Sequence, residues 1–93
     1  MNFETTGRII VELPPTMGVT RTGKDWERRD FILETLEQHP KKIRFSMLSF
    51  DGSIEGAPRI EDRVRVRFII EARENNGNWY NDVKAYQVEV INQ

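Results

Sequence analysis

The residues best suited to chemistry are aromatic and cationic rather than nucleophilic. Trp26 and Arg28 stand two positions apart, behind Arg21 and Lys24 in a Thr/Gly-rich stretch; Lys42 and Arg44 repeat the spacing further on. Arg73, Trp79 and Tyr80 bracket an Asn76-Gly77 pair. Aromatic rings stack on bases and cations follow phosphates, which is the equipment of a single-strand binding surface. Catalytic equipment is sparse by comparison. The single histidine, His39, sits beside Pro40 without a companion His, and there is no cysteine. Catalysis, a thiolate metal site and a disulfide framework are therefore not expected, and neither is a cofactor. Glu71 and Asp82 are expected to face each other across a hairpin, where paired carboxylates can do acid–base work. Arg73 and Lys84 fall diagonally beside them, so a neutralised surface cluster is the plainer reading.

Spacing of these residues follows from period-two alternation, the mark of half-buried strands. A first strand is predicted over Thr6–Leu13 with Gly7, Ile9, Val11 and Leu13 on one face, stopped by Pro14-Pro15. A loop over Thr16–Asp25 follows, then a strand over Trp26–Thr35 with Phe31 and Leu33 inward. A third strand, Lys41–Leu48, turns Ile43, Phe45 and Met47 inward, and Phe50–Arg59 reads as an irregular or briefly helical connection. The fourth strand covers Asp62–Glu74, Asn76-Gly77 makes a type I′ turn, and the fifth strand covers Trp79–Val90. Inward parity in that last strand changes between Ala85 and Val88, which predicts a bulge near Tyr86-Gln87. The turns place Phe31 opposite Phe45, Leu33 opposite Ile43, Phe68 opposite Ala85 and Ile70 opposite Val83, so core faces core in both hairpins.

Three strands, a connection and a hairpin in a chain of 93 residues predict an all-β, five-stranded OB-fold-like barrel forming a single domain over 1–93. An SH3-like barrel is the competing architecture. On an OB barrel the oligonucleotide surface is the outer face of strands two and three with the loops after strands one and four. That surface collects Arg21, Lys24, Trp26, Arg28, Lys42, Arg44, Arg73, Trp79 and Tyr80. Several have structural alternatives: Lys42 can pair with Glu34, Arg73 with Tyr80, Arg67 with Tyr86, and Trp79 shares parity with Val83 and can plug the barrel. Trp26 has parity opposite to Phe31 and is the preferred stacking residue. Ile10, Ile32 and Ile69 all point outward and predict a stripe for a homodimer or higher oligomer.

Bulk charge does not argue for nucleic acid, since 14 basic against 15 acidic side chains give a net charge of −1. No apolar run approaches the roughly 20 residues of a membrane span, and the N-terminus lacks the regions of a signal peptide, so the expected setting is cytoplasmic.

The stretches Lys24-Asp25-Trp26-Glu27-Arg28-Arg29-Asp30-Phe31, Gln38-His39-Pro40-Lys41-Lys42-Ile43-Arg44-Phe45 and Trp79-Tyr80-Asn81-Asp82 resemble a family of small bacterial and phage proteins known as a domain of unknown function. That family is similar in pattern to OB-fold single-stranded-DNA-binding proteins. The resemblance spans Thr6 to Val90 and implies the barrel, with single-stranded DNA, ahead of RNA, as partner. Replicative proteins of that class end in an acidic tail; Val90-Ile91-Asn92-Gln93 is not acidic, so recruitment through such a tail is not expected. The rival function is a protein-interaction or assembly module.

Overall fold

The computed structural model describes residues 2–50, 54 and 56–92. Six strands form in chain order: β1 (Phe3–Glu12), β2 (Thr16–Val19), β3 (Asp25–Thr35), β4 (Lys42–Phe50), β5 (Arg63–Asn75) and β6 (Asn78–Val90). Their lateral order is β1-β5-β6-β4-β3-β2, and β1 also pairs with β3, which closes the sheet. Removing the short β2 leaves the strand order of an OB barrel. All ladders are antiparallel except β4 with β6, which meet in parallel at the single pair Ser46↔Lys84. The barrel is thus closed but uneven, thinnest along that seam. No helix of the described residues is long and apolar enough to cross a membrane.

The inward residues build one core: Ile9, Phe31, Leu33, Phe45, Val64, Val66 and Phe68, with Ile43, Met47, Val83, Ala85 and Val88 packed against it. Phe31 and Phe45 stack at 5.5 Å between ring centroids, fixing the β3–β4 register. The expected pairs Leu33↔Ile43, Phe68↔Ala85 and Ile70↔Val83 are all present. Gly7 pairs with both Thr35 and Val64, where β1 passes between β3 and β5. A Cβ there would collide with the Glu34 carbonyl and the Leu33 side chain, so only glycine lets the sheet close. In β6 the pairing jumps from Arg67↔Gln87 to Phe68↔Ala85, leaving Tyr86 as the extra residue of the expected bulge.

Several expectations are corrected. The stretch Thr16–Asp25 is not all loop: Thr16–Val19 is a strand that hairpins onto Asp25–Arg28. β1 begins earlier than Thr6, because Phe3 stacks on Phe68 at 5.5 Å. A second bulge, between Ile9 and Val11, turns Val11 outward against Ile32 instead of into the core. The β6 bulge sets Arg67 opposite Gln87, not Tyr86, and its guanidinium donates to Gln87 at 3.1 Å. Trp79 is 69 % exposed and plugs nothing. Within the Phe50–Arg59 connection Phe50 belongs to β4, and residues 51–53 and 55 lie outside the described residues.

Candidate nucleic-acid interface

Because Phe31 and Phe45 face inward, the intervening residues of β3 and β4 share the outer face. The register makes neighbours of Trp26 and Phe50, Arg28 and Leu48, Asp30 and Ser46, and Ile32 and Arg44. Trp26 is half-buried, and Gly18 of β2 lies across from it. A Cβ on Gly18 would stand 2.6 Å from the indole, so the ring rests directly on bare backbone. Phe50, 57 % exposed, and the exposed Leu48 continue this apolar surface along β4. Sequence reasoning missed both, ending the strand at Leu48 and assigning Phe50 to a connection. The signal was present: Arg44, Ser46, Leu48 and Phe50 continue the outward alternation that Phe45 and Met47 continue inward.

The charges on this face are organised around Asp30. By parity it points outward, yet it is only 7 % exposed, since Arg28 and Arg44 close over it. Arg28 donates to its carboxylate from Nε at 3.0 Å and from Nη2 at 3.3 Å. Arg44 donates from Nε at 3.2 Å and from Nη2 at 2.6 Å. Burial pushes the Asp30 carboxyl up, but hydrogen bonds from Arg28, Arg44 and Ser46 outweigh it and hold the group below its ordinary value. Across the seam, Arg73 donates to Asp82 at 3.0 Å and lowers its pKa, and Lys84 donates to Glu71 at 2.7 Å. The Arg73 guanidinium also lies 5.2 Å from the Tyr80 ring centre. A small pocket of about 90 Å³ opens between these groups, lined by Arg28, Ser46, Leu48, Asp82, Lys84 and Ala85. The paired carboxylates at Glu71↔Asp82 are therefore each tied to a cation, as the plainer reading had it. Among the described residues no three His, Cys, Asp or Glu side chains are grouped to hold a metal ion.

A family described as "Domain of unknown function (DUF3127)" matches residues 4–89. The chain belongs to this family. No curated protein is significantly similar to it in sequence. In structure it is similar to the second OB-fold domain of replication protein A from Methanococcus maripaludis, with a TM-score of 0.67, 10% identity, and coverage of 100% of this chain and 86% of that one. It is also similar to a mitochondrial single-stranded DNA binding protein from S. cerevisiae, with a TM-score of 0.65, 7% identity, and coverage of 98% and 95%. The N-terminal domain of a PriB protein from Thermoanaerobacter tencongensis, described as dimeric, gives 0.60 at 17% identity with coverage of 99% and 97%. At these identities the likeness shows the OB fold.

The remaining sequence-predicted residues of this DUF3127 chain scatter around the face. Arg21 and Lys24 occupy the exposed turn between β2 and β3, which the Thr20 hydroxyl ties by accepting from the Lys24 amide at 3.0 Å. Lys42 stands opposite Glu34 in register, but Glu34 pairs with Arg8 at 3.8 Å. Tyr80 and Arg73 share the outer parity of β5–β6 with Asp82 and Lys84, whereas alternation sends Trp79 to the other side of the hairpin. The isoleucines do not form one stripe. Val11 pairs with Ile32 at one end of β1, beside Ile10 in the bulge, while the pairing Phe3↔Phe68 puts Ile69 beyond the opposite end.

Proposed function

We propose that this DUF3127 chain is a non-enzymatic module that binds single-stranded nucleic acid, DNA ahead of RNA, with little sequence preference, across the outer face of β3 and β4. The observation that carries the reading is the Trp26–Phe50–Leu48 surface, apolar and accessible, lying directly beside Arg28 and Arg44 on the same two strands. Rings at that position offer bases a stacking surface, and stacking does not depend on sequence because every base has a π-face. The fold likeness to a mitochondrial single-stranded DNA binding protein supports the same reading. Tyr80 and Arg73 extend the path along the β5–β6 hairpin.

Titration of labelled oligo-dT at low salt is the test. Binding at tens of micromolar protein or below is expected, and Trp26→Ala should weaken it by roughly 1–3 kcal/mol, the contribution of one stacked base. Its stability should fall by less than the roughly 3–5 kcal/mol of a truncated core tryptophan, as the ring is only half-buried. Intact protein that ignores oligo-dT would end this reading. A polypeptide-binding or self-assembling role would then lead, starting from the outward Val11–Ile32 pair.

A further inference from the structure

We infer that Asp30 keeps this face from holding phosphate polymers in general, so that a ligand must also offer bases; the inference rests on the proposed single-strand reading and names how that site selects. The face carries Arg28, Arg44, Arg73 and Lys84, which on their own would attract any polyanion. Each of these cations is already engaged with a carboxylate, and the three carboxylates differ in how freely they let go. Glu71 is exposed, so a phosphate can take Lys84 from it by a side-chain rotation. Asp82 is partly buried and holds Arg73 by a direct ion pair. Asp30 is buried and fixed by four hydrogen bonds from two arginines, so it stays beneath them when a ligand arrives.

A guanidinium has five N–H donors, and Arg28 and Arg44 each direct only two of them at Asp30. Donors remain for a phosphate, but the trio of two arginines and one aspartate presents one net positive charge instead of two. Phosphate attraction is thereby reduced, whereas the Trp26 and Phe50 rings are untouched. Discrimination by a built-in repulsive group, rather than by added attraction, is a general route to specificity.

The test uses two probes, oligo-dT and inorganic polyphosphate, which carries the charge without bases, each at 50 and 200 mM salt. Wild-type protein should bind oligo-dT measurably more tightly than polyphosphate. Asp30→Asn keeps the side-chain volume and uncovers one charge. Its affinity for polyphosphate should rise roughly five- to tenfold at 50 mM salt, with the salt slope steeper by about 0.7, the single-strand value per phosphate contact. Asp30→Glu retains the carboxylate and should leave polyphosphate as weakly bound as in wild type. If Asp30→Asn does not fold, Asp30→Ser, which still offers the guanidiniums an acceptor, takes its place. Wild-type protein that binds both probes measurably and holds polyphosphate as tightly as oligo-dT, or Asp30→Asn gaining nothing on polyphosphate, would overturn the inference. Loss of wild-type oligo-dT binding alone would instead strike the proposed function, because the polyphosphate comparison of the two variants still reads Asp30 directly.

Discussion

The two halves of the β5–β6 ladder are both antiparallel and, apart from the Tyr86 bulge in the barrel half, alternate alike, yet they have opposite fates. In the barrel half, Val64, Val66 and Phe68 are buried against Ile9, Phe31, Leu33 and Phe45. In the distal half, Ile70 pairs with Val83 as regularly as Phe68 pairs with Ala85, yet Ile70 and every residue from Glu71 to Asn81 are exposed. The difference is the layer across the sheet. Alternation tells a strand which residues share a face, but a face becomes core only where another strand closes over it. The projecting hairpin and the outer face of β3–β4 lie outside the closed core, and the proposed site is drawn from them.

Truncating one side chain on each side of that divide gives the largest contrast. Phe45→Ala removes a ring stacked on Phe31 and should cost about 3–5 kcal/mol in urea unfolding. Ile70→Ala, from the same inward parity, should change stability by no more than about 0.5 kcal/mol. Comparable losses would mean that the hairpin is packed after all. A smaller effect is expected at the hairpin tip, where Asn76 and Gly77 have φ of 52° and 81°. Nothing lies within 4 Å of a Cβ built on Gly77, so Gly77→Val should act through backbone strain alone, roughly 1–2 kcal/mol. Should it leave the unfolding midpoint unchanged, the tip frays independently of the barrel.

Acid sensitivity sharpens the same comparison with the smallest shift. The Glu27 carboxyl, at the barrel end, is lowered from 4.5 by the Ile54 amide first and then by Arg29, against the opposing effect of burial. A carboxyl lowered in the folded state contributes stability above its unfolded value and loses that contribution as pH falls through the folded value. Glu27→Gln should therefore flatten the acid limb below pH 4.5, followed by circular dichroism. Asp82 is lowered too, through Arg73, but its hairpin lies outside the core, so Asp82→Asn should flatten the acid limb less.

Much of this architecture is legible in the residues. Matched inward pairs gave both hairpins their register, Asn76-Gly77 marks the turn, and the parity change between Ala85 and Val88 locates the Tyr86 bulge. The bulge in β1 was not legible, because Ile9, Ile10 and Val11 are all apolar and carry no parity change to betray it. β2 was hidden for a different reason: Thr16-Met17-Gly18-Val19 is only four residues long, so its Met17/Val19 alternation is too short to stand out from a loop, and it contains a glycine whose purpose is visible only with Trp26 lying on it. At the site, parity placed Trp26, Arg28, Arg44, Arg73 and Tyr80 on outward faces. It could not show that Asp30 is buried there, since the cover comes from arginine side chains and not from a strand. The plug alternative for Trp79 fails because parity carries no information about where the barrel ends.

The most direct test of the account is a map of NMR shift changes as oligo-dT is added, with both tryptophan indoles resolved. The account predicts the largest changes at the Trp26 indole and at the amides of Arg28, Arg44, Leu48 and Phe50, with the Trp79 indole nearly unmoved. Changes concentrated on Trp79 and the inward parity of the hairpin, with Trp26 silent, would contradict it.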